Sequence, residues 1–345
     1  MEIKPSSLYA PGSEGLLTPL TRWLSDNTVS EILINKPREI FVEQGGVMRR
    51  FEVPELTTLH IKRLFTLIAN ENGQVLNESS PMLSGNLMDG SRVQLVMPPA
   101  ARHYTLSIRR PSIAARTLED YQYSDFYSQT QPFHVHDSAE TLMTESDKVL
   151  ATLYQQRRWG EFIQQAVLAK KNIVISGETS SGKTTFLNAC CQHIPHQERL
   201  ITLEDTFEVT LPHANQVNLL APKRQEKEAA VLTMQDLVQG SLRLRPDRLI
   251  MGEIRGREVL DFISACVTGH NGSMTSLHAG NPKIAFLRMT QMYKLNNVPS
   301  MRDEDILREL HEVIDVIVQL QRTNAGRYVT YVYYKEAGNN TGRNA

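Results

Sequence analysis

The chain has 345 residues, of which 41% are hydrophobic and 22% charged, and its 37 basic and 38 acidic side chains leave a net charge of −1. That length accommodates two ordinary domains with separate cores, and the composition excludes a disordered chain. The charge balance supplies no global attraction for nucleic acid or acidic lipid, and Cys190, Cys191 and Cys266, with no C-x-x-C pair among them, supply neither a disulfide framework nor a zinc ribbon.

Residues 1–7 lack the basic start and apolar run of a signal peptide, and no stretch approaches the roughly 18 apolar residues that span a bilayer, so a cytosolic location is expected. A helix is predicted over 13–25, with Leu16, Leu17, Leu20, Trp23 and Leu24 on one face. Segments 32–34, 40–42 and 47–53 read as strands, with Gly45-Gly46 as the hairpin turn between the last two. A second helix fits 58–70, and strands at 92–97 and 104–109 flank Pro98-Pro99. This mixed order predicts a small α+β domain over 1–112. Residues 113–150, dotted with Tyr121, Tyr123, Phe126, Tyr127 and Phe133, read as a linker ending in a short helix near 146–155. It is long enough for the first domain to dock on its own chain or on a neighbouring subunit.

From 151 to 345 the pattern changes. Apolar strands are predicted at 172–176, 200–203, 249–251, 273–277 and 313–320, with helices between the early ones and an edge strand at 328–334. The alternation predicts an α/β domain with a mostly parallel sheet, in which ligands sit at the carboxyl ends of the strands.

The first such end carries Gly177-Glu178-Thr179-Ser180-Ser181-Gly182-Lys183-Thr184, which satisfies G-x-x-x-x-G-K-[ST] between a strand and a helix opening at Thr185. Glycines let backbone N–H groups converge on an anion, and the helix N-terminus adds its dipole. The loop therefore predicts a nucleoside triphosphate site, with Lys183 on the β- and γ-phosphates and Thr184 on Mg²⁺. A Gly/Ser turn before a helix is the plain alternative, and the flanking strand and helix favour the phosphate reading.

The second end carries Glu204, Asp205 and Glu208, which could hold Mg²⁺ through water or simply form a solvated acidic turn. The third is Gly252-Glu253-Ile254-Arg255-Gly256, where Glu253 can orient or deprotonate an attacking water, or else cap a helix. Gly252 stands where an Asp is usual, so Mg²⁺ is assigned to Thr184 and water, with Glu204 and Asp205 as further candidates. Arg243 and Arg245 either neutralise phosphate across a subunit boundary or pair with surface acids, and Arg248 reads as a surface residue. His270 reads as a helix cap, whereas His278, ending the next strand, could sense the γ-phosphate or bridge subunits.

Residues 177–184, Glu204-Asp205-x-x-Glu208, 249–255 and 269–278 together resemble the Walker A, Asp box, Walker B and His box of the type II/type IV secretion ATPase superfamily. The resemblance covers most of 170–280 and implies a RecA-like P-loop domain that uses ATP and Mg²⁺. Its implied cradle runs from Gly177 through Thr185 and includes Glu204, Asp205, Glu208 and His278, with Glu253 and Lys183 catalytic. Segments Gly90-Ser91-Arg92-Val93 and Ser107-Ile108-Arg109-Arg110-Pro111 resemble those that present arginines, so Arg92 and Arg109 are implied to touch the γ-phosphate from the N-terminal domain.

Neither a four-cysteine zinc module nor the retraction motif Ala-Ile-Arg-Asn-Leu-Ile-Arg-Glu is present, which places the resemblance closest to the ATPase of type IV secretion in conjugation and effector export. Such proteins form homo-hexameric rings at the cytoplasmic face of the bacterial inner membrane, against inner-membrane components and other ATPases of the machine. Near-neutral charge and the lack of an aromatic-basic stripe count against direct nucleic-acid binding, and so against the rival reading as a DNA translocase. A nucleotide-gated assembly scaffold with incidental hydrolysis is the other rival.

Overall fold

The computed structural model describes residues 14–110, 144–221, 232–324 and 326–338. The predicted linker, up to residue 143, lies outside the described residues.

The first helical segment is broken where one continuous helix is predicted. Glu14–Leu17 and Thr21–Leu24 are α-helical, and a 3₁₀ turn, Thr18–Leu20, separates them around Pro19. Proline lacks the N–H that a helix interior uses, so the chain tightens there. Leu17, Leu20, Trp23 and Leu24 are buried against an antiparallel sheet. Its strands are β1 (Val29–Lys36), β2 (Glu39–Gln44), β3 (Val47–Glu52), β4 (Met82–Asn86), β5 (Arg92–Val96) and β6 (Thr105–Arg109), in the order β3-β2-β1-β6-β5-β4. Gly45 and Gly46 both have positive φ, 59° and 77°, and join Gln44 to its partner Val47 in the two-residue turn that matches strand twist. The helix Thr58–Glu71 is capped by the Thr57 hydroxyl and buries Ile61, Leu64, Phe65 and Ile68. β4, with the sequence Met-Leu-Ser-Gly-Asn, has too few β-branched residues to be predicted.

The second sheet holds β7 (Ile173–Gly177), β8 (Leu200–Glu204), β9 (Gln216–Leu220), β10 (Arg248–Ile254), β11 (Met274–Leu277), β12 (Val316–Thr323) and β13 (Gly326–Tyr334), in the order β13-β12-β7-β11-β10-β8-β9. All neighbours are parallel except the β12–β13 hairpin. The strand predicted from 313 begins later, because Val313 ends the helix Asp303–Val313. The helix Glu145–Gln155 opens with a Thr144/Asp147 capping box and packs Leu150 and Leu153 into this half's core. No helix among the described residues is long and apolar enough to cross a membrane.

The two sheets share a buried join. Arg102 N–H donates to the Asn218 carbonyl and Leu220 N–H to the Ala100 carbonyl, at 3.2 and 2.8 Å, so the segment after β5 extends the β9 edge. Val96, Ala100 and Ala101 sit in the second sheet's own core. Beside them Arg199, fully buried, donates through Nη1 to the Oδ1 atoms of Asn35 (2.7 Å) and Asn215 (2.5 Å), and through Nε to the Leu244 carbonyl (2.8 Å). Burial pulls its guanidinium down to about 9. Arg245 pairs with Glu43 at 2.8 Å across the same join. Arg248 corrects a surface expectation: it is fully buried, forks onto both carboxylate oxygens of Glu198 at 2.8 and 2.9 Å, and donates to the Val167 carbonyl.

Candidate functional site

β7 runs between β12 and β11 and delivers its carboxyl end to the centre of the second sheet. Gly177 there admits no side chain, because a Cβ would stand 2.5 Å from Ser181 Oγ and 2.7 Å from the Leu320 carbonyl. The loop then turns through left-handed Ser180 (φ 62°) and Gly182 (φ 94°) into the helix Lys183–Cys191. Over it opens a cavity of about 770 Å³. Thr179, Ser180, Ser181, Gly182, Lys183, Thr184 and Thr185 line its floor, while Gly177 and Glu178 contribute the carbonyls that Lys183 Nζ reaches, each at 3.0 Å. Burial holds the Lys183 ammonium below the usual lysine range, against the pull of Glu253.

The acids converge on the same cavity. Thr184 Oγ1 donates to Glu208 Oε2 at 3.2 Å. Glu204 is buried and accepts the N–H groups of Glu208 (2.8 Å) and Val209 (2.7 Å) on one oxygen, which shapes the loop after β8. Its Oε2 is buried without a hydrogen bond, and burial raises its carboxyl above the usual range. Gly252 leaves room for this group: a Cβ there would lie 3.3 Å from Glu204 Cγ. The missing Asp thus faces a carboxylate supplied by the neighbouring strand.

Glu253 lines the cavity from β10 and Asp205 from the end of β8, and Arg255 joins them, 2.6 Å from Glu253 and 2.5 Å from Asp205. Arg255 stands one residue past the end of β10 and two beyond Glu253, whose carboxylate it turns back to meet, a proximity present in the sequence. His278 also lines the cavity, as do Ser276 and Thr206. Arg327, from β13, is the contributor that sequence reasoning missed altogether.

Arg92 and Arg109 stand elsewhere. Within one chain they do not line the P-loop cavity, but a second cavity of about 540 Å³ with Glu31, Arg243, Arg245 and His270. They are cross-strand partners on β5 and β6, and Arg109 in turn partners Glu31 on β1, with an ion-pair distance of 3.7 Å. His270, past the end of the helix Glu258–Val267, donates its N–H to the Ala265 carbonyl.

The profile of the family described as type II/IV secretion system protein matches residues 15–326. The type IV secretion system protein VirB11 of Brucella suis biovar 1 is 38% identical over 326 residues, covering 92% of this chain and 89% of that one. The type IV secretion system protein PtlH of Bordetella pertussis is 33% identical over 327 residues, 93% and 94% of the two chains. Among solved structures, the VirB11 ATPase from the Brucella suis type IV secretion system, in complex with sulphate, superposes with a TM-score of 0.87 at 35% identity, covering 94% of this chain and 98% of that one.

Proposed function

Because the chain belongs to the type II/IV secretion system protein family, we propose that it hydrolyses ATP as one subunit of a homo-hexameric ring that powers export by a bacterial type IV secretion system. The observation that carries this reading is the convergence of Lys183, Thr184 and Glu253 on one cavity. The second sheet and its P-loop are then a RecA-like ATPase domain over 151–345, the first an α+β domain over 1–112, and 113–150 the linker. With no membrane-crossing helix among the described residues, docking at the cytoplasmic face of the inner membrane falls to partners in the machine.

In this reading the loop amides from Thr179 to Thr185 cradle the phosphates and Lys183 leaves its carbonyl partners for the β- and γ-phosphates. The hydroxyl and carboxylate donors suit Mg²⁺, a hard cation, and the buried, unpaired Glu204 Oε2 is consistent with such a neighbour. Thr184 would hold the ion, with Glu204, Asp205 and Glu208 acting through water, and when bound it neutralises charge on the β- and γ-oxygens. Glu253 parts from Arg255 to orient the attacking water. His278, at the cavity wall, senses the γ-phosphate.

The second cavity fits the same chemistry in trans. Two arginines directly opposite on neighbouring strands repel each other, and Glu31 offsets only one of them. With Arg243 and Arg245 beside them, they present a surface for polyphosphate. We assign it to the nucleotide of the adjacent subunit, where Arg92 and Arg109 stabilise charge on the transferred phosphoryl group. Phosphate release and ATP binding by Glu253→Gln and Lys183→Ala test the proposal. Glu253→Gln is expected to bind ATP and turn over about 10²- to 10⁴-fold more slowly, and Lys183→Ala to lose binding. Normal turnover by Glu253→Gln removes the assignment of the base, and a strict monomer in light scattering with ATP and Mg²⁺ removes the ring.

A further inference from the structure

We propose that Arg327 receives the nucleoside end of the nucleotide, stacking its guanidinium plane on the base. The inference rests on the reading of the P-loop cavity as an ATP site and extends it to the part of the ligand that motif residues do not address.

Sheet order sets the polarity of the cavity. Glu204 and Glu253 come from β8 and β10, on the flank of β7 that lies beyond β11, and Thr184 points its hydroxyl at Glu208. These groups mark the end at which the terminal phosphate reacts. A triphosphate laid along the loop with that end toward Glu253 sends its sugar and base to the opposite flank. That flank is built by the β12–β13 hairpin, and its contribution to the cavity wall is Arg327.

Contacts hold this side chain over the loop. Arg327 Nε donates to the Ser180 carbonyl at 3.0 Å, and its Cδ lies 3.2 Å from where a Cβ of Gly182 would stand. The guanidinium therefore rests against the loop at Ser180 and Gly182, while Arg255, the other arginine among the described residues of the cavity, is engaged with Asp205 and Glu253 at the acid end. A planar cation held at one edge and open to the cavity suits an aromatic face, where arginine adds planar stacking to the cation–π attraction that lysine also offers.

The test titrates full-length protein, with Mg²⁺, against two probes: ADP and inorganic tripolyphosphate, which has the phosphates but no nucleoside. Arg327→Ala should weaken ADP by about 2- to 30-fold, the range of a cation–π contact, and leave tripolyphosphate unchanged, which also shows the loop intact. Arg327→Gln keeps a donor for Ser180 and should lose ADP affinity as Arg327→Ala does, whereas Arg327→Lys should keep part of it. Equal weakening of both probes would make Arg327 a phosphate ligand and overturn the proposal, and unchanged ADP affinity would overturn it too. If the wild type binds both probes through Lys183 while Arg327→Ala changes neither, only this assignment falls. If the wild type binds neither, the ATP-site reading falls with it.

Discussion

Rings assembled from two defective chains, one carrying Lys183→Ala and the other Arg109→Ala, separate completion of the site within a chain from completion between chains. Lys183 lines the P-loop cavity and Arg109 the second one, so a single chain does not bring them together. If a neighbour's Arg109 completes each site, either substitution alone abolishes every junction, and loss of such an arginine costs about 10³-fold or more in turnover. In a random equal mixture, a junction is whole when its P-loop comes from an Arg109→Ala chain and its arginine from a Lys183→Ala chain. That is about a quarter of the junctions in a closed ring. Completion within a chain gives none. Phosphate release is measured at constant total protein after disassembly and reassembly, with a wild-type/Lys183→Ala titration to report subunit exchange and cooperativity between sites. Activity no greater than the mean of the two parents, in mixtures where that titration shows exchange, would refute the shared site.

Three further predictions concern the packing that holds the sites. Gly177→Ala forces a methyl to within 2.5 Å of Ser181 Oγ and 2.7 Å of the Leu320 carbonyl, so it should cost about 1–3 kcal/mol and weaken ADP binding. Unchanged melting and unchanged affinity would contradict the close packing. Glu198→Gln leaves the fully buried Arg248 without its countercharge and should destabilise by about 3–5 kcal/mol in urea denaturation; a loss below about 1 kcal/mol would place the pair among ordinary surface bridges. Burial pushes the Glu31 carboxyl up to about 7, against the pull of Arg109 and Arg245. A raised carboxyl favours the fold fully below its unfolded value of 4.5 and loses that contribution, about 3 kcal/mol, as pH rises from there through 7. Wild type should therefore lose more stability between pH 5 and 8 than Glu31→Gln, and parallel pH profiles would exclude Glu31 as the cause.

The P-loop was legible because its geometry is written in eight consecutive residues, and the acids were legible because each follows an apolar strand. What failed depends on neighbours distant in sequence. Arg248 opens a strand and looks exposed, until Glu198, fifty positions earlier, meets it in the interior. β9 alternates half-buried Gln216, Asn218 and Leu220 with buried Val217 and Leu219, a pattern too short and polar to stand out. Arg327 becomes part of the cavity only because β12 pairs with β7 and β13 folds back beside it. The strands bearing Arg92 and Arg109 could be read, but their separation from the P-loop could not, since it depends on how the two sheets meet.

That meeting decides where movement can occur. Parting the sheets would break the backbone bonds between residues 100–102 and 218–220, and would strip Arg199 of Asn35 while it remains bonded to Asn215 and Leu244. A buried guanidinium that loses one of its few hydrogen-bond acceptors is left short of compensation for its charge, which is costly. The P-loop cavity, meanwhile, has no wall from the first sheet among the described residues. On the proposed function, then, a chain carries its own N-terminal sheet as a rigid part, and loss of the γ-phosphate opens the junction with the neighbour rather than a hinge inside the chain. Ala101 and Leu219 are antiparallel bridge partners, a placement whose Cα spacing, about 4.5–5.5 Å, suits a disulfide. The native cysteines are buried, with thiols pushed up to about 12, and should not compete. The disulfide formed by Ala101→Cys/Leu219→Cys should leave turnover within about 2-fold of the same protein reduced, because the join it locks does not open in the cycle. Turnover that stops on oxidation and returns on reduction would place the moving hinge between the two sheets of one chain.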